Sequence, residues 1–244
     1  TFIFPSRLIY LLKLILMWIF NDLFYLFFPN RCLTCDEALV NSEQLLCTFC
    51  LHDLPFTNHT ESAGNAVELS FYGRIPVQSA TALLLFYKKG KVQNLIHLLK
   101  YKGHQEIGTY FGNWFGNDLA ASKRFNTVDF VIPVPMHHKK LKLRGYNQVA
   151  NFGKSIAKAL KVPYIDDKLI KVSSTASQTK KHRTERVKNV NEIFTLNDVH
   201  FFENKHILLV DDVITTGATL EVCCNELLKT KAVKISIASL AFTA

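Results

Sequence analysis

The sequence predicts an α/β protein whose mostly parallel sheet is flanked by helices and preceded by a small zinc-ribbon-like module. Three features carry this prediction: a strand–loop–helix–strand pattern near the C terminus, a second apolar strand pattern near residue 130, and two pairs of cysteines. The 244 residues are 48% hydrophobic and 20% charged, which excludes a disordered chain. We divide the chain into a hydrophobic helical segment (1–28), a four-cysteine module (29–62) and an α/β domain (70–244).

The N-terminal segment is strongly apolar. Every one of residues 8–20 except Lys13 is apolar or aromatic, and a second apolar run covers residues 23–28. Because Lys13, Asn21 and Asp22 interrupt the stretch, it does not form a clean membrane span. A helix packed on the rest of the protein and an interfacial helix docked on a membrane surface both fit this pattern.

Four cysteines form two C-x-x-C pairs separated by eleven residues: Cys32, Cys35, Cys47 and Cys50. Two such pairs can supply the four tetrahedral ligands of a closed, structural zinc site. His52 and His59 lie close enough in sequence to replace a thiolate, and two redox-active or unliganded pairs are the alternative. The adjacent Cys223 and Cys224 lie in a helical pattern, and we expect them to pack in the core.

The pattern near the C terminus predicts a ligand site. Residues 206–210 are apolar and β-forming, and the predicted strand ends at Asp211 and Asp212, ahead of a helix over 220–229 and a strand over 233–240. Ligands of parallel α/β sheets bind at the carboxyl ends of the strands. The connecting loop offers hydroxyl groups, a glycine and a helix N terminus, all suited to a phosphate. Its residues are Thr215, Thr216, Gly217, Ala218 and Thr219.

The two carboxylates would repel a phosphate unless they face sugar hydroxyls or a Mg²⁺ ion. Strand, loop and acid pair together fit a ribose 5-phosphate, while an ordinary capped strand-to-helix turn is the alternative. A second buried strand is predicted over residues 129–135, followed by a stiff proline turn and one helix that continues to about Leu160.

Positive charge is concentrated in one part of the chain. The protein has 29 Lys and Arg against 20 Asp and Glu, a net charge of +9, yet residues 137–189 alone carry 14 against 3. This distribution favours an anion-binding surface for phosphates or nucleic acid, and a merely solvated face is the alternative.

Residues 207–219, Ile-Leu-Leu-Val-Asp-Asp-Val-Ile-Thr-Thr-Gly-Ala-Thr, resemble the signature with which type I phosphoribosyltransferases bind phosphoribosyl pyrophosphate (PRPP). The resemblance implies the type I phosphoribosyltransferase fold, with Asp211 and Asp212 on the ribose hydroxyls and residues 215–219 on the 5-phosphate. Mg²⁺ would accompany PRPP. We assign the pyrophosphate to the turn after the second strand and to basic residues: Val134, Pro135, Met136, His137, Arg144, Lys180, Lys181 and Arg183.

Three further segments narrow the resemblance to one family within this superfamily. They are the Pro-Val-Pro turn, the Arg-Gly-Tyr-Asn-Gln block at 144–148 and the segment from Gln178 to Phe194. Together with the four-cysteine module they resemble the ComF family, the ComFC-type competence proteins associated with bacterial DNA uptake. This resemblance implies a cytoplasmic protein with competence machinery at the inner membrane as a partner. Peripheral attachment to that membrane through the N-terminal segment is a further option.

Single-stranded DNA is the second candidate ligand of the basic segment. Its backbone would follow basic residues while its bases stack on the interleaved aromatic residues Tyr146, Phe152 and Tyr164. The contact residues that we predict are Lys139, Lys140, Lys142, Arg144, Tyr146 and Arg186. An active, Mg²⁺-dependent phosphoribosyltransferase with an unknown acceptor and no role in DNA handling is the alternative function, and a purely structural zinc protein is a third.

Residues 173–189 are polar and basic, and they predict a long loop. We expect this loop to close over bound PRPP and exclude water from the reactive carbon, and a solubilising loop is the alternative. Glutamine amidotransferase activity is not expected, because residue 1 is Thr and the first cysteine is a predicted zinc ligand.

Overall fold

A computed structural model describes residues 27–40, 42–172 and 193–243, together with residues 10, 13 and 16. Most of the predicted N-terminal helix and the whole of the predicted PRPP-closing loop, 173–189, lie outside these residues. So do four of the predicted site residues: Lys180, Lys181, Arg183 and Arg186. None of the helices in the described ranges is long and apolar enough to cross a membrane.

The chain forms two compact units, Thr1–Asp53 and Leu54–Ala244, which we call the cysteine unit and the α/β unit. In the cysteine unit, a turn at Asp36 has a positive φ of 64° and brings Arg31 and Ala38 into an antiparallel bridge. Helix α1 (Thr48–His52) follows, and the Cys47 side chain caps its N terminus. The finer division of the chain at residues 28, 62 and 70 stays a prediction.

The α/β unit is built on a parallel four-stranded sheet with the order β1-β6-β5-β2. The strands β5 and β6 are central and almost continuously buried, as expected of a parallel sheet that is covered on both faces. Residues of β3 and β4 form a separate antiparallel pair. The strand bounds are Ser79–Leu85 (β1), Phe130–Pro133 (β2), Leu169–Val172 (β3), Ile193–Leu196 (β4), His206–Ile214 (β5) and Lys234–Phe242 (β6).

The β5 strand is longer than the sequence pattern predicts. The predicted strand stops before the acid pair, but in the structure Asp211 pairs with Ser239 and Val213 pairs with Ala241 of β6. The predicted end of β5 was wrong because backbone pairing with the long neighbouring strand β6 keeps these polar residues in the strand. The acid pair therefore lies on the rigid sheet and not on a loop.

Helices of the α/β unit connect these strands. Between residues 136 and 160 the predicted single helix is wrong, because Gly145 adopts a left-handed φ of 79° and its N–H bonds to the Leu141 carbonyl 2.7 Å away, which ends the first helix. A separate helix begins at Ala150. The helix bounds are Ala66–Leu69 (α2), Lys91–Tyr101 (α3), Glu106–Ala121 (α4), His138–Arg144 (α5), Ala150–Leu160 (α6) and Ala218–Leu227 (α7).

Helices α4 and α6 pack at close range. A Cβ atom at Gly112 would lie 2.7 Å from the Phe152 carbonyl oxygen, so only glycine permits this approach. Phe152 is 1% exposed and stacks on Phe115 with ring centroids 6.1 Å apart. The prediction that Phe152 stacks on DNA bases is therefore wrong, whereas the predicted core positions of Cys223 and Cys224 are confirmed.

Candidate functional site

A polar cleft of about 300 Å³ opens at the carboxyl ends of β2 and β5. This is the edge at which parallel α/β sheets bind their ligands. Segments that are far apart in sequence meet there, namely the end of α3, the turn after β2, α5, β3 and the end of β5. The lining residues are Lys100, Tyr101, Val134, Pro135, Met136, His137, Lys140, Arg144, Gln148, Lys171, Asp211, Asp212, Val213 and Thr219.

The acid pair lies at the base of this cleft. Asp212 is 5% exposed, and the Lys100 Nζ atom lies 2.9 Å from its Oδ1 atom. The Oδ2 atom of Asp212 is buried and accepts no hydrogen bond from any residue that the structure describes. Asp211 is less buried, and its Oδ1 atom accepts a 2.8 Å hydrogen bond from the Asp212 N–H group. A buried carboxylate oxygen without a donor is costly unless a ligand supplies one.

The loop after β5 and the first turn of α7 contain the five residues that the sequence analysis assigned to a phosphate. Gly217 has a φ of 72° and begins α7, and a Cβ atom there would lie 2.7 Å from the Phe71 ring. Thr215 and Thr216 are exposed, and the Thr216 carbonyl accepts a 2.8 Å hydrogen bond from Arg74, which is also ion-paired with Glu221. The hydrogen bond from Arg74 therefore holds the loop in place, while the threonine side chains are exposed to solvent. Ala218 is exposed on the same loop, and Thr219 lines the cleft.

The turn after β2 forms the second wall. The Val134 N–H group donates to the Val210 carbonyl at 2.8 Å, and Asn147 donates to the Val134 carbonyl at 3.2 Å. Burial lowers the pKa of His137, and the positive charges of His138, Lys139, Lys171 and Lys140 lower it further. A histidine that resists protonation beside these cations indicates a local field that attracts anions.

The Arg-Gly-Tyr-Asn-Gln block packs against the end of α3, beside the cleft. Arg144 donates to Gln148 at 2.8 Å, and its guanidinium carbon lies 4.9 Å from the centroid of the Tyr101 ring. The Tyr146 hydroxyl donates to the Leu99 carbonyl at 2.5 Å. These contacts join the block to the end of α3, so the Tyr146 hydroxyl is committed to the fold.

Two cations of the cleft were missed by the sequence analysis, Lys100 and Lys171. Each belongs to an element without a ligand motif, and each reaches the cleft only through the tertiary fold. Lys100 also pairs with Asp212. A signal for Lys100 did exist. It follows Ile96 by one helical turn, on the edge of the buried stripe formed by residues 92, 95, 96 and 99, where the helical pattern favours an apolar residue.

Helix α5 is exposed along almost its whole length, and Lys140 and Arg144 of this helix also line the cleft. The helix has no buried residue, and Lys139, Lys140 and Lys142 are all exposed along it. Leu143 is 88% exposed on the same helix. Tyr164, which the sequence analysis offered as a stacking residue, instead packs against Gly153 and buries its hydroxyl group.

In the cysteine unit the four predicted ligands meet. The Sγ atoms of Cys32, Cys35, Cys47 and Cys50 all lie within 4.8 Å of one another, and neither His52 nor His59 belongs to this group. A tetrahedral ion with Zn–S bonds of about 2.3 Å requires Sγ atoms about 3.8 Å apart. The Cys35 and Cys47 Sγ atoms lie 3.6 Å apart, so the cluster fits such an ion.

The cluster favours one thiolate in the absence of a cation. Burial acts to raise the pKa of Cys32, but hydrogen bonds from the Thr34 hydroxyl and from nearby backbone N–H groups lower it to about 6. The Glu37 N–H group acts to lower the pKa of Cys35, but burial and the three other thiols raise it to about 12. Four thiolates in one cluster therefore need a metal cation to offset their mutual repulsion.

Comparisons with known proteins agree with this fold. Residues 150–244 match the phosphoribosyl transferase domain family. Competence protein F of Haemophilus influenzae is 26% identical over 209 residues, which cover 80% of this chain and 89% of that protein. DNA utilization protein YhgH of Escherichia coli is 23% identical, with coverage of 84% and 87%. Competence protein ComFC of Bacillus subtilis is 32% identical over 56% of this chain and 54% of its own length.

The sheet, the acid pair and the glycine-threonine loop define a protein with a phosphoribosyltransferase domain. The relatives extend the similarity to most of the chain, including the predicted resemblance to competence proteins, which is confirmed. Over most of its length the chain resembles competence proteins of the ComF type, and it carries a four-cysteine cluster.

Proposed function

We propose that this protein binds PRPP in the cleft at the ends of β2 and β5 and serves DNA uptake in natural transformation. One observation carries the proposal: the acid pair, Thr219 of the loop after β5 and several cationic side chains line a single cleft. PRPP carries two hydroxyl groups, a phosphate and a pyrophosphate on one ribose, and each of these groups needs a different partner. The cleft offers all of these partners.

Charge complementarity decides which part of the ligand binds where. The unpartnered Oδ2 atom of Asp212 is suited to a ribose hydroxyl, which can donate to it. The exposed threonine hydroxyls and the helix N terminus after Gly217 are suited to the 5-phosphate. Lys140, Arg144 and Lys171 line the same cleft and favour the pyrophosphate. Lys180, Lys181 and Arg183 stay predictions from the sequence.

The donor set of the acid pair also fits Mg²⁺, which prefers carboxylate oxygen ligands and substrate phosphates. Asp211 is the residue that would hold such an ion beside PRPP, because Lys100 already pairs with Oδ1 of Asp212. When bound, Mg²⁺ offsets negative charge on the pyrophosphate. The same arrangement would serve an active phosphoribosyltransferase, which we would detect as acceptor-dependent release of pyrophosphate.

The role in DNA uptake is supported by the names of the relatives, two competence proteins and a DNA utilization protein. In this chain, α5 is the best candidate for a contact with single-stranded DNA, because its three lysines are exposed and none of its residues is buried. We further propose a structural zinc ion at the cysteine cluster and a cytoplasmic protein that associates with competence machinery at the inner membrane.

Calorimetric titration with PRPP and Mg²⁺ tests the binding proposal. The Asp211→Asn/Asp212→Asn variant should bind PRPP about 100-fold more weakly, because charge-assisted hydrogen bonds to the ribose are lost. The matched control is Asp167→Asn/Asp198→Asn, which removes the same charge from two exposed loop positions. Equal affinities for the wild type and the acid-pair variant would overturn the proposal.

Salt titration of oligonucleotide binding tests the DNA contact. In Lys139→Gln/Lys142→Gln, the slope of log K against log salt should become shallower by about 1.4, since each phosphate contact to a single strand contributes about 0.7. Lys231→Gln/Lys234→Gln, at two exposed positions elsewhere, should keep the wild-type slope. A slope unchanged in the α5 variant would remove α5 from the interface.

A further inference from the structure

Lys100 is the feature of the cleft that no motif assigns. It lies in the last turn of α3, and its Nζ atom lies 2.9 Å from Asp212 Oδ1. The two side chains are only 24% and 6% exposed. An ion pair so far removed from solvent is screened by salt much less than a surface pair, so the attraction between the two side chains persists at high ionic strength.

The position of Lys100 is built by the fold. The residue before it, Leu99, accepts the 2.5 Å hydrogen bond from Tyr146, and the residue after it, Tyr101, carries the Arg144 guanidinium on its ring. Both contacts come from the Arg-Gly-Tyr-Asn-Gln block, which begins at the last residue of α5. The end of α3 is therefore tied to the cleft wall on both sides of Lys100, and its ammonium group is directed to the acid pair.

Only one oxygen of Asp212 is used by this pair. Oδ1 accepts from Lys100, while Oδ2 is buried without a donor among the described residues. A carboxylate that bound a metal ion at both oxygens would have to displace the ammonium group. With Lys100 in place, the carboxylate is already neutralised on one side and presents its other oxygen to a hydroxyl donor.

We propose that Lys100 is a resident cation that takes the place of a metal ion at Asp212. The inference deepens the proposed function and rests on it for the part that concerns PRPP. Lys100 excludes Mg²⁺ from direct contact with Asp212, and it supplies positive charge beside the ribose when Mg²⁺ is scarce. Mg²⁺ that accompanies PRPP then serves the phosphates and is not required at Asp212.

The first test needs no PRPP. Thermal unfolding of the wild type, Lys100→Met and Lys102→Met is compared in MgCl₂ and in NaCl of equal ionic strength. Lys102 is exposed two residues away and does not line the cleft, so it is a control for the loss of one charge. Mg²⁺ should raise the Tm of Lys100→Met by about 3 °C, because the freed carboxylate now binds the ion. The wild type and the control should not respond.

The second test measures PRPP affinity by calorimetry in excess EDTA and in saturating Mg²⁺. Without Mg²⁺, Lys100→Met should bind PRPP at least about tenfold more weakly than the wild type. With saturating Mg²⁺, the difference should shrink to about threefold, since the metal ion replaces the lost charge. Lys102→Met should match the wild type in both conditions, and Lys100→Arg should retain most of the metal-independent affinity.

The outcomes separate the two proposals. If the wild type binds PRPP and Lys100→Met behaves as Lys102→Met in both tests, the resident cation is overturned and the PRPP site stands. If the wild type binds no PRPP, the proposed function fails, and the Mg²⁺-dependent rise in Tm alone decides whether Lys100 holds the place of a cation. Should Lys100→Met not fold, Lys100→Gln gives the same comparison, because its amide can still donate to Oδ1.

Discussion

The cysteine cluster and the PRPP cleft are assembled over very different lengths of chain. All four cysteines lie between residues 32 and 50, and one turn and one short helix bring them together. The cleft combines residues from 100 to 219, carried by different strands and helices. The cluster is therefore encoded by local spacing, whereas the cleft exists only once the parallel sheet has formed.

This difference predicts different sources of stability. Among the described residues of the cysteine unit, few apolar side chains are buried, so we expect metal binding to supply much of its folding free energy. The cleft is carried by the core around β5 and β6, which is buried whether or not a ligand is present. Removing the metal should unfold one site, and removing the ligand should leave the other intact.

The largest expected effect is at the cysteine cluster. Cys50→Ser should abolish zinc binding, because loss of one thiolate opens a closed site whose apparent binding free energy is about 10–16 kcal/mol in comparable small modules. Metal analysis should fall from one zinc ion per chain to almost none. Hydrogen exchange should then show loss of protection at residues 48–52 and unchanged protection in β5.

His52→Ala is the control for this prediction, because His52 is exposed and lies outside the ligand group. It should keep one zinc ion per chain. If β5 lost its protection together with the cysteine unit, the proposed independence of the two sites would be wrong.

A smaller effect is expected at the phosphate-type loop. Gly217→Ala must place a Cβ atom 2.7 Å from the Phe71 ring and must keep a φ of 72°. Gly73→Ala keeps a similar φ of 71° with nothing within 4 Å of the added atom. In urea unfolding, Gly73→Ala should lower the free energy of unfolding by about 1 kcal/mol. Gly217→Ala should lower it by about 1–3 kcal/mol more than Gly73→Ala does. Equal losses would mean that the contact with Phe71 does not constrain the loop.

The smallest effect concerns pH. Burial lowers the pKa of His206, and Lys234 lowers it further, against the opposing effects of Asp129 and Thr127. As pH falls below about 6.5, the unfolded chain therefore binds more protons than the folded chain, and the free energy of unfolding decreases. The stabilisation is complete above that pH and is lost below it. Urea unfolding of His206→Asn should show a shallower decrease from about pH 7.5 to about pH 5.5. If the free energy of unfolding of His206→Asn depended on pH as steeply as that of the wild type, the assignment of this pH dependence to His206 would be wrong.

The same contrast explains what could be predicted from the sequence. The cysteine ligands and the segment from β5 to α7 were predicted because their signals lie within a few consecutive residues. The break at Gly145 was missed because a single glycine can stay in a helix unless the tertiary structure uses its left-handed conformation. Lys100 was missed for a related reason, because its partner Asp212 is brought to it only by the fold.

The aromatic residues of the basic segment show the limit of composition as a guide. Tyr146 and Phe152 lie among lysines and arginines in sequence, which suggested stacking on bases. In the structure, helix periodicity directs Phe152 into the contact between α4 and α6, and Tyr146 bonds to α3. Charge distribution predicts an anion-binding surface within residues 137–189, and only the fold shows that Lys140 of α5 lines the cleft together with Lys100, which lies outside that segment.

The crystal structure of the protein with PRPP and Mg²⁺ tests the central claim most directly. We expect the ribose hydroxyls to lie on Asp211 and Asp212, the 5-phosphate on the loop at Gly217, and the pyrophosphate near Arg144. Density for PRPP at another surface would contradict the account. A cleft without PRPP in crystals grown at a saturating ligand concentration would contradict it equally.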